Sequence, residues 1–192
     1  MIALPPGVVG VEICDTGQAV PLRADEAALV ANAVEKRRRE FALGRACAHA
    51  ALNQLGKDAM IGRRPDGAPL WPAGVTGSIT HTDGYACAVV TTTFRAIGVD
   101  AERVGGVGDD LLPRLFDDAE CARLMAMTAG DRRLFATLGF SAKEACFKAW
   151  GSRFRDIHIM WGDGSFHATS AGGSGQGRFQ VEGDLALTFI AV

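Results

Sequence analysis

Over 192 residues, 20 Lys and Arg stand against 22 Asp and Glu, and a net charge of −2 removes any global electrostatic reason to expect a nucleic-acid partner. At 48% hydrophobic and 22% charged, the chain has enough apolar surface to fold unaided as one large domain or two small ones. No apolar stretch is long enough to span a bilayer and no basic-then-apolar leader is present, so a cytoplasmic protein without a membrane partner is expected.

The stretch LPPGVVGVEI reads as a strand after a Pro-Gly turn. Asp25 can cap the long helical run EAALVANAVEKRRREFALGRACAHAALNQLG, with a break near Val34 and Gly56 as its stop. RRPDGAPLWP is a turn region, and GVTGSITHTDGYACAVVTTT reads as two strands joined around Asp83-Gly84, leading into the strand AIGVDAE. The glycine-rich RVGGVGDD is the natural linker, which divides the chain into 1–104 and 105–192. Beyond it come two helical stretches, DDAECARLMAM and DRRLFATLGFSAKEACFKAW. Strands follow around IHIM, SFHAT, RFQVEG and LALTFIAV, with SAGGSGQG as a flexible hairpin loop. Helices followed by strands, twice, predict an α+β fold of two similar α/β lobes, with a cleft between them as the site. The five scattered cysteines contain no CxxC pair and suit buried thiols in a reducing compartment, and the four histidines have no zinc spacing.

Two acidic clusters carry the chemistry. Asp100 and Glu102, at i and i+2 on a strand, leave the same face and repel unless a cation joins them. An isolated pair of this kind is usually a solvated strand end. In FSAKEACFKAW, Glu144 and Lys148 are i and i+4 on a helix and share a face with Phe140; alone they would be an ordinary surface ion pair. Three acids meeting at a cleft would suit Mg²⁺, which completes its octahedron with water and phosphate oxygens. Phosphate binders are available: Arg37 and Arg45, eight apart with Phe41 between them, Arg63 and Arg64 at the turn, and His81 beside Thr80. GGVGDD lacks the spacing of a phosphate loop.

In their order along the chain, RRREFALGRACAHAAL, RPDGAPLWPAGVTGSITHTDGYACAVV, AIGVDAE and FSAKEACFKAW resemble the Sfp-type 4′-phosphopantetheinyl transferases, more closely the enterobactin-synthase and actinobacterial branch. The resemblance implies a pseudo-twofold, two-lobed fold. It also implies transfer of the phosphopantetheine arm of coenzyme A to a serine of an acyl or peptidyl carrier protein, with release of 3′,5′-ADP. Such carriers belong to fatty-acid, polyketide, nonribosomal-peptide or siderophore assembly. Carried over by residue, Asp100, Glu102 and Glu144 hold Mg²⁺ (or Mn²⁺), and Glu144 is the base for the carrier serine. Lys148 meets the phosphate under attack, with Asp100 beside it in the catalytic set. Lys143 is a further phosphate or coenzyme contact, and Arg37, Arg45, Arg64, Thr80 and His81 hold the adenosine 3′-phosphate and pyrophosphate, with Gly67 and Pro69 shaping that wall. Arg123, Leu124, Met125 and Met127 are candidates for carrier docking, and a monomer is expected. Departures from the pattern are the short GSRFRDIHIM after Trp150, Thr82 in place of a cysteine and Phe147 in place of a tyrosine. The competing readings are a non-catalytic homologue that binds coenzyme A or the carrier, and a nucleic-acid binder built on the run Lys36 to Arg39.

Overall fold

A computed structural model describes all 192 residues, Met1–Val192. Its backbone contacts divide the chain into two units, Ala3–Arg95 and Ala96–Val192. Both are α+β.

In the first unit, β1 (Val8–Cys14) is followed by α1 (Ala24–Leu29) and α2 (Glu35–Gln54). The helical run therefore breaks where the sequence suggested, ahead of Glu35. Asp25 is not the cap: Arg23 holds that place, and Asp25 sits in the first turn, where its carboxylate accepts from the Glu26 N–H and still suits the positive helix end. Gly56, at φ 69°, takes the left-handed turn just past the C-cap Leu55. The turn region is a small hairpin, β2 (Gly62–Arg63) with β3 (Pro69–Leu70), closed by Gly67 at φ 90°. Next, β4 (Thr76–Thr82) and β5 (Tyr85–Thr91) complete an antiparallel sheet in the order β1-β5-β4. The central strand is buried along its whole length, so it carries small and apolar residues on both faces. Against it α2 lays Leu43, Cys47, Ala48, Ala51 and Leu52, which meet Ala86, Ala88 and Val90.

The second unit begins with β6 (Ile97–Arg103), which carries Asp100 and Glu102. The boundary lies at Arg95, not at Val104, because β6 has no partner in the first sheet and is instead bonded along its length to the last strand. RVGGVGDD is accordingly no interdomain linker. Val107 is buried with Leu112, Phe116, Leu124 and Ala136, and the Gly105 N–H donates to Thr137 Oγ1 at 3.1 Å. Three helices follow: α3 (Leu112–Leu115), α4 (Asp118–Met125) and α5 (Ala129–Trp150). Asp117 and Glu120 form a capping box on α4, Thr128 caps α5, and Gly151 at φ 78° ends it. The chain closes with β7 (His158–Trp161), β8 (Ser165–Ser170), β9 (Gly173–Glu182) and β10 (Leu185–Ala191), giving an antiparallel sheet in the order β6-β10-β9-β8-β7.

Most of the supposed flexible loop SAGGSGQG is the first half of β9. Its glycines alternate and share one face, and each makes room for a neighbour. A Cβ on Gly177 would lie 2.1 Å from the Phe166 ring, one on Gly175 2.8 Å from the Ala191 carbonyl oxygen, and one on Gly173 3.1 Å from the Trp150 indole. No helix is long and apolar enough to cross a membrane.

Candidate active site

On β6 the side chains alternate, with Ile97, Val99 and Ala101 on one face and Gly98, Asp100 and Glu102 on the other. Gly98 fixes what the second face meets: a Cβ there would lie 1.8 Å from the Ala145 carbonyl oxygen, so α5 rests directly on the strand backbone. The helix positions that turn toward β6 and β10 are therefore Thr137, Ser141, Glu144, Ala145 and Lys148. Ser141 Oγ and Thr188 Oγ1 share a hydrogen bond of 2.9 Å, which locks the helix to β10. Two turns on, Lys148 Nζ donates to Asp100 Oδ1 at 2.6 Å and to the Val99 carbonyl at 3.1 Å.

Asp100 is only 4% exposed. Glu102 is pushed up to about 7, first by burial and then by the negative charges of Asp100 and Glu144, with Lys148 opposing. Burial also raises Glu144, Lys148 lowers it, and Asp100 adds to the rise. Lys148 thus sits on Asp100, with Glu102 and Glu144 half-buried close enough to feel both charges. An all-oxygen donor set of this kind fits a hard divalent ion such as Mg²⁺ or Mn²⁺. As placed, no three Asp, Glu, His or Cys side chains lie close enough to share an ion.

Lys143 takes a different direction. It is fully buried, donates to Glu120 Oε2 at 2.6 Å and to the Leu115 carbonyl at 3.3 Å, and lies over the Phe116 ring. One residue before Glu144 on a helix, its side chain points about 100° away from the acids, toward α4. Leu124 and Met127, expected at a docking surface, pack into the cluster around Phe116, which leaves Arg123 and Met125 exposed on α4.

The phosphate-binding candidates belong to the first unit. Arg37 Nη1 donates to His81 Nε2 at 2.6 Å. A guanidinium has no lone pair to offer, so Nε2 is the acceptor and the ring proton sits on Nδ1, which faces Glu40 Oε2 at 3.7 Å. His81 shares a strand face with Ile79, which packs against α2, while Thr80 leaves the opposite face. A cavity of about 350 Å³ opens beside His81, with Asp15, Lys36, Arg39, Glu40 and Tyr85 in its wall. Arg45, one helical face along from Arg37, is buried: Nη2 donates to the Gly62 carbonyl at 3.0 Å, the guanidinium lies over Phe41, and Nη1 has no partner. Arg64 reaches the hairpin tip instead, beside Asp66 at 3.4 Å. Sequence reasoning missed Glu26, which faces Arg45, His49, which holds Glu26, and Gly98. A glycine inside an apolar strand was a legible signal of close approach; nothing local marked Glu26.

The family model described as the 4′-phosphopantetheinyl transferase N-terminal domain matches residues 25–91, and that of the 4′-phosphopantetheinyl transferase superfamily matches residues 96–188. The chain is similar to the 4′-phosphopantetheinyl transferase Npt of Nocardia iowensis, 36% identical over 217 positions that cover 98% of this chain and 97% of that one. It is 35% identical to the 4′-phosphopantetheinyl transferase PptT of Mycobacterium tuberculosis, over 88% of this chain and 85% of that one. Enterobactin synthase component D of Salmonella typhi is 36% identical over 64% of this chain and 52% of its own length.

Proposed function

This chain belongs to the 4′-phosphopantetheinyl transferase superfamily, enzymes that move the phosphopantetheine arm of coenzyme A to a carrier protein, and we propose that the acids around Lys148 are where it does so. What supports this assignment is the Lys148 ammonium seated on Asp100 beside two carboxylates that burial and mutual repulsion hold above their ordinary range.

Asp100, Glu102 and Glu144 would hold Mg²⁺, or Mn²⁺ in its place, and the bound ion supplies positive charge to the pyrophosphate oxygens of coenzyme A. The chain's own residues do the rest. Glu144, with its raised proton affinity, takes the proton of the carrier serine as that oxygen bonds to the β-phosphorus of the coenzyme. The bond from that phosphorus to the bridging oxygen breaks, and 3′,5′-ADP leaves with the electron pair. Lys148 donates to the phosphate oxygens on which charge develops, and Asp100 holds its ammonium in position. Positioning and neutralisation suffice for such a transfer, and no covalent enzyme intermediate is needed. In the first unit, Arg37, Arg45, Arg64, Thr80 and His81 bind the adenosine 3′-phosphate and pyrophosphate. Lys143 serves the coenzyme only on release from Glu120.

The test combines purified protein, coenzyme A, Mg²⁺ and a panel of apo carrier proteins, and reads carrier mass. The arm is expected on at least one carrier with the wild-type protein and on none with Glu144→Gln, while coenzyme A still binds that variant. A wild-type protein that binds coenzyme A and modifies no carrier would overturn the catalytic assignment in favour of a binding homologue.

A further inference from the structure

Arg45 is 3% exposed, and the groups around it are arranged with a direction. Glu26, itself 1% exposed, brings Oε1 to 3.7 Å from Arg45 Nε and to 2.9 Å from His49 Nε2. Gly62 O accepts from Nη2, and the Phe41 ring covers the plane. Two of the three guanidinium nitrogens thus face protein acceptors. The third, Nη1, is a buried donor without a partner. A buried donor left unpaired is costly, and the natural acceptor for a guanidinium edge is an anionic oxygen.

Nothing in the chain's local pattern calls for an acid inside α1. Glu26 is the second acid of a surface-like helix start, yet it turns inward to a single cationic side chain. Arg63 bears on Arg45 with like charge, and the Glu26 carboxylate opposes it. His49, one turn beyond Arg45 on α2, holds the same carboxylate oxygen, Oε1, that Arg45 Nε faces.

We propose that Glu26, held by His49, is a positioning residue that aims Arg45 Nη1 at the 3′-phosphate of the coenzyme and so sets the preference for coenzyme A over its 3′-dephospho form. This rests on Arg45 being a 3′-phosphate ligand, as given under the proposed function. Arg45 is closed off from solvent here, so the phosphate enters only as the side chains over it move aside. Glu26 acts on the direction of the donor and not on the phosphate itself.

The experiment is calorimetric binding of adenosine 3′,5′-bisphosphate and of adenosine 5′-monophosphate to the full chain, which needs no turnover. Glu26→Gln keeps the shape and removes the charge. It should weaken the bisphosphate roughly tenfold and leave the monophosphate unchanged, with no further loss when added to Arg45→Ala. His49→Ala, which frees the carboxylate without removing it, should give a smaller loss with the same ligand selectivity and serves if Glu26→Gln does not fold. If Arg45→Ala discriminates between the two ligands while Glu26→Gln and His49→Ala weaken both equally or neither, the positioning role is overturned and the 3′-phosphate reading stands. If Arg45→Ala itself fails to discriminate, it is the 3′-phosphate reading that has failed.

Discussion

Each unit sets one long helix across an antiparallel sheet, and each uses a glycine at the crossing, but on opposite partners. In the first unit the glycine is on the helix: a Cβ on Gly44 would lie 2.8 Å from the Ile79 Cγ2 methyl, a side-chain atom and not backbone. In the second it is on the strand, and Gly98 admits the backbone of α5 itself. The closer contact brings Lys148 within hydrogen-bonding reach of Asp100 and a strand carbonyl. The charge patterns differ likewise. Around α2, cations and anions are interleaved, with Arg37 near Glu40, Arg39 on Asp15 and Arg45 near Glu26. In the second half of β6, Asp100 and Glu102 stand with Glu144 around Lys148. The same architecture therefore carries a mixed set of charges in one unit and an acid-rich set in the other, and the difference lies in which side chains the helix delivers to the sheet.

The sharpest break in this comparison is chemical. Lys148→Ala should lower kcat by roughly a thousandfold with the fold intact, as expected for loss of a group that meets developing charge, and circular dichroism beside the carrier assay checks both halves. A structural break comes next. Gly98→Ala should cost more than about 3 kcal/mol in urea unfolding, because a backbone carbonyl cannot step aside. Gly44→Ala should cost less, about 1–2 kcal/mol, since a side-chain methyl yields more than a backbone carbonyl and alanine gains helix propensity. Equal costs at the two positions would mean that the two crossings are equally tight.

Smaller effects sharpen the charge contrast. The Arg39 guanidinium beside Asp15 holds its carboxyl down to about 2, from an ordinary 3.8. The folded form is the weaker base, so the pair's contribution is present above pH 3.8 and is lost as pH falls through about 2. The difference in thermal midpoint between wild type and Asp15→Asn should therefore shrink on going from pH 6 to about pH 2. Least disruptive is a labelling experiment. Cys14 is exposed, whereas Cys47, Cys87 and Cys146 are buried and burial pushes each thiol up to about 12. An alkylating reagent at neutral pH should modify Cys14 quickly and the three buried thiols only on unfolding.

The acids and Lys148 were legible because both spacings are local. Period two on a strand and i, i+4 on a helix place side chains on one face whatever the rest of the chain does. Arg37 and His81 were legible as residues but not as a pair, since 44 positions separate them. Lys143 shows the limit most clearly: one step from Glu144 in sequence, it turns to a different neighbour, Glu120. The glycines of β9 could be read as flexibility because a missing side chain looks the same whether it frees the backbone or clears space for a ring.

The alternation of polar and apolar residues and the turn glycines determined most of the elements, because those depend on neighbours within a few residues. The ordered motifs determined the family. Only the tertiary structure decided that β6 belongs with the second unit, that Glu26 closes on Arg45 and that Lys148, not Lys143, meets Asp100. Each of these depends on which distant surfaces exclude water together, and burial is a property of the assembled chain.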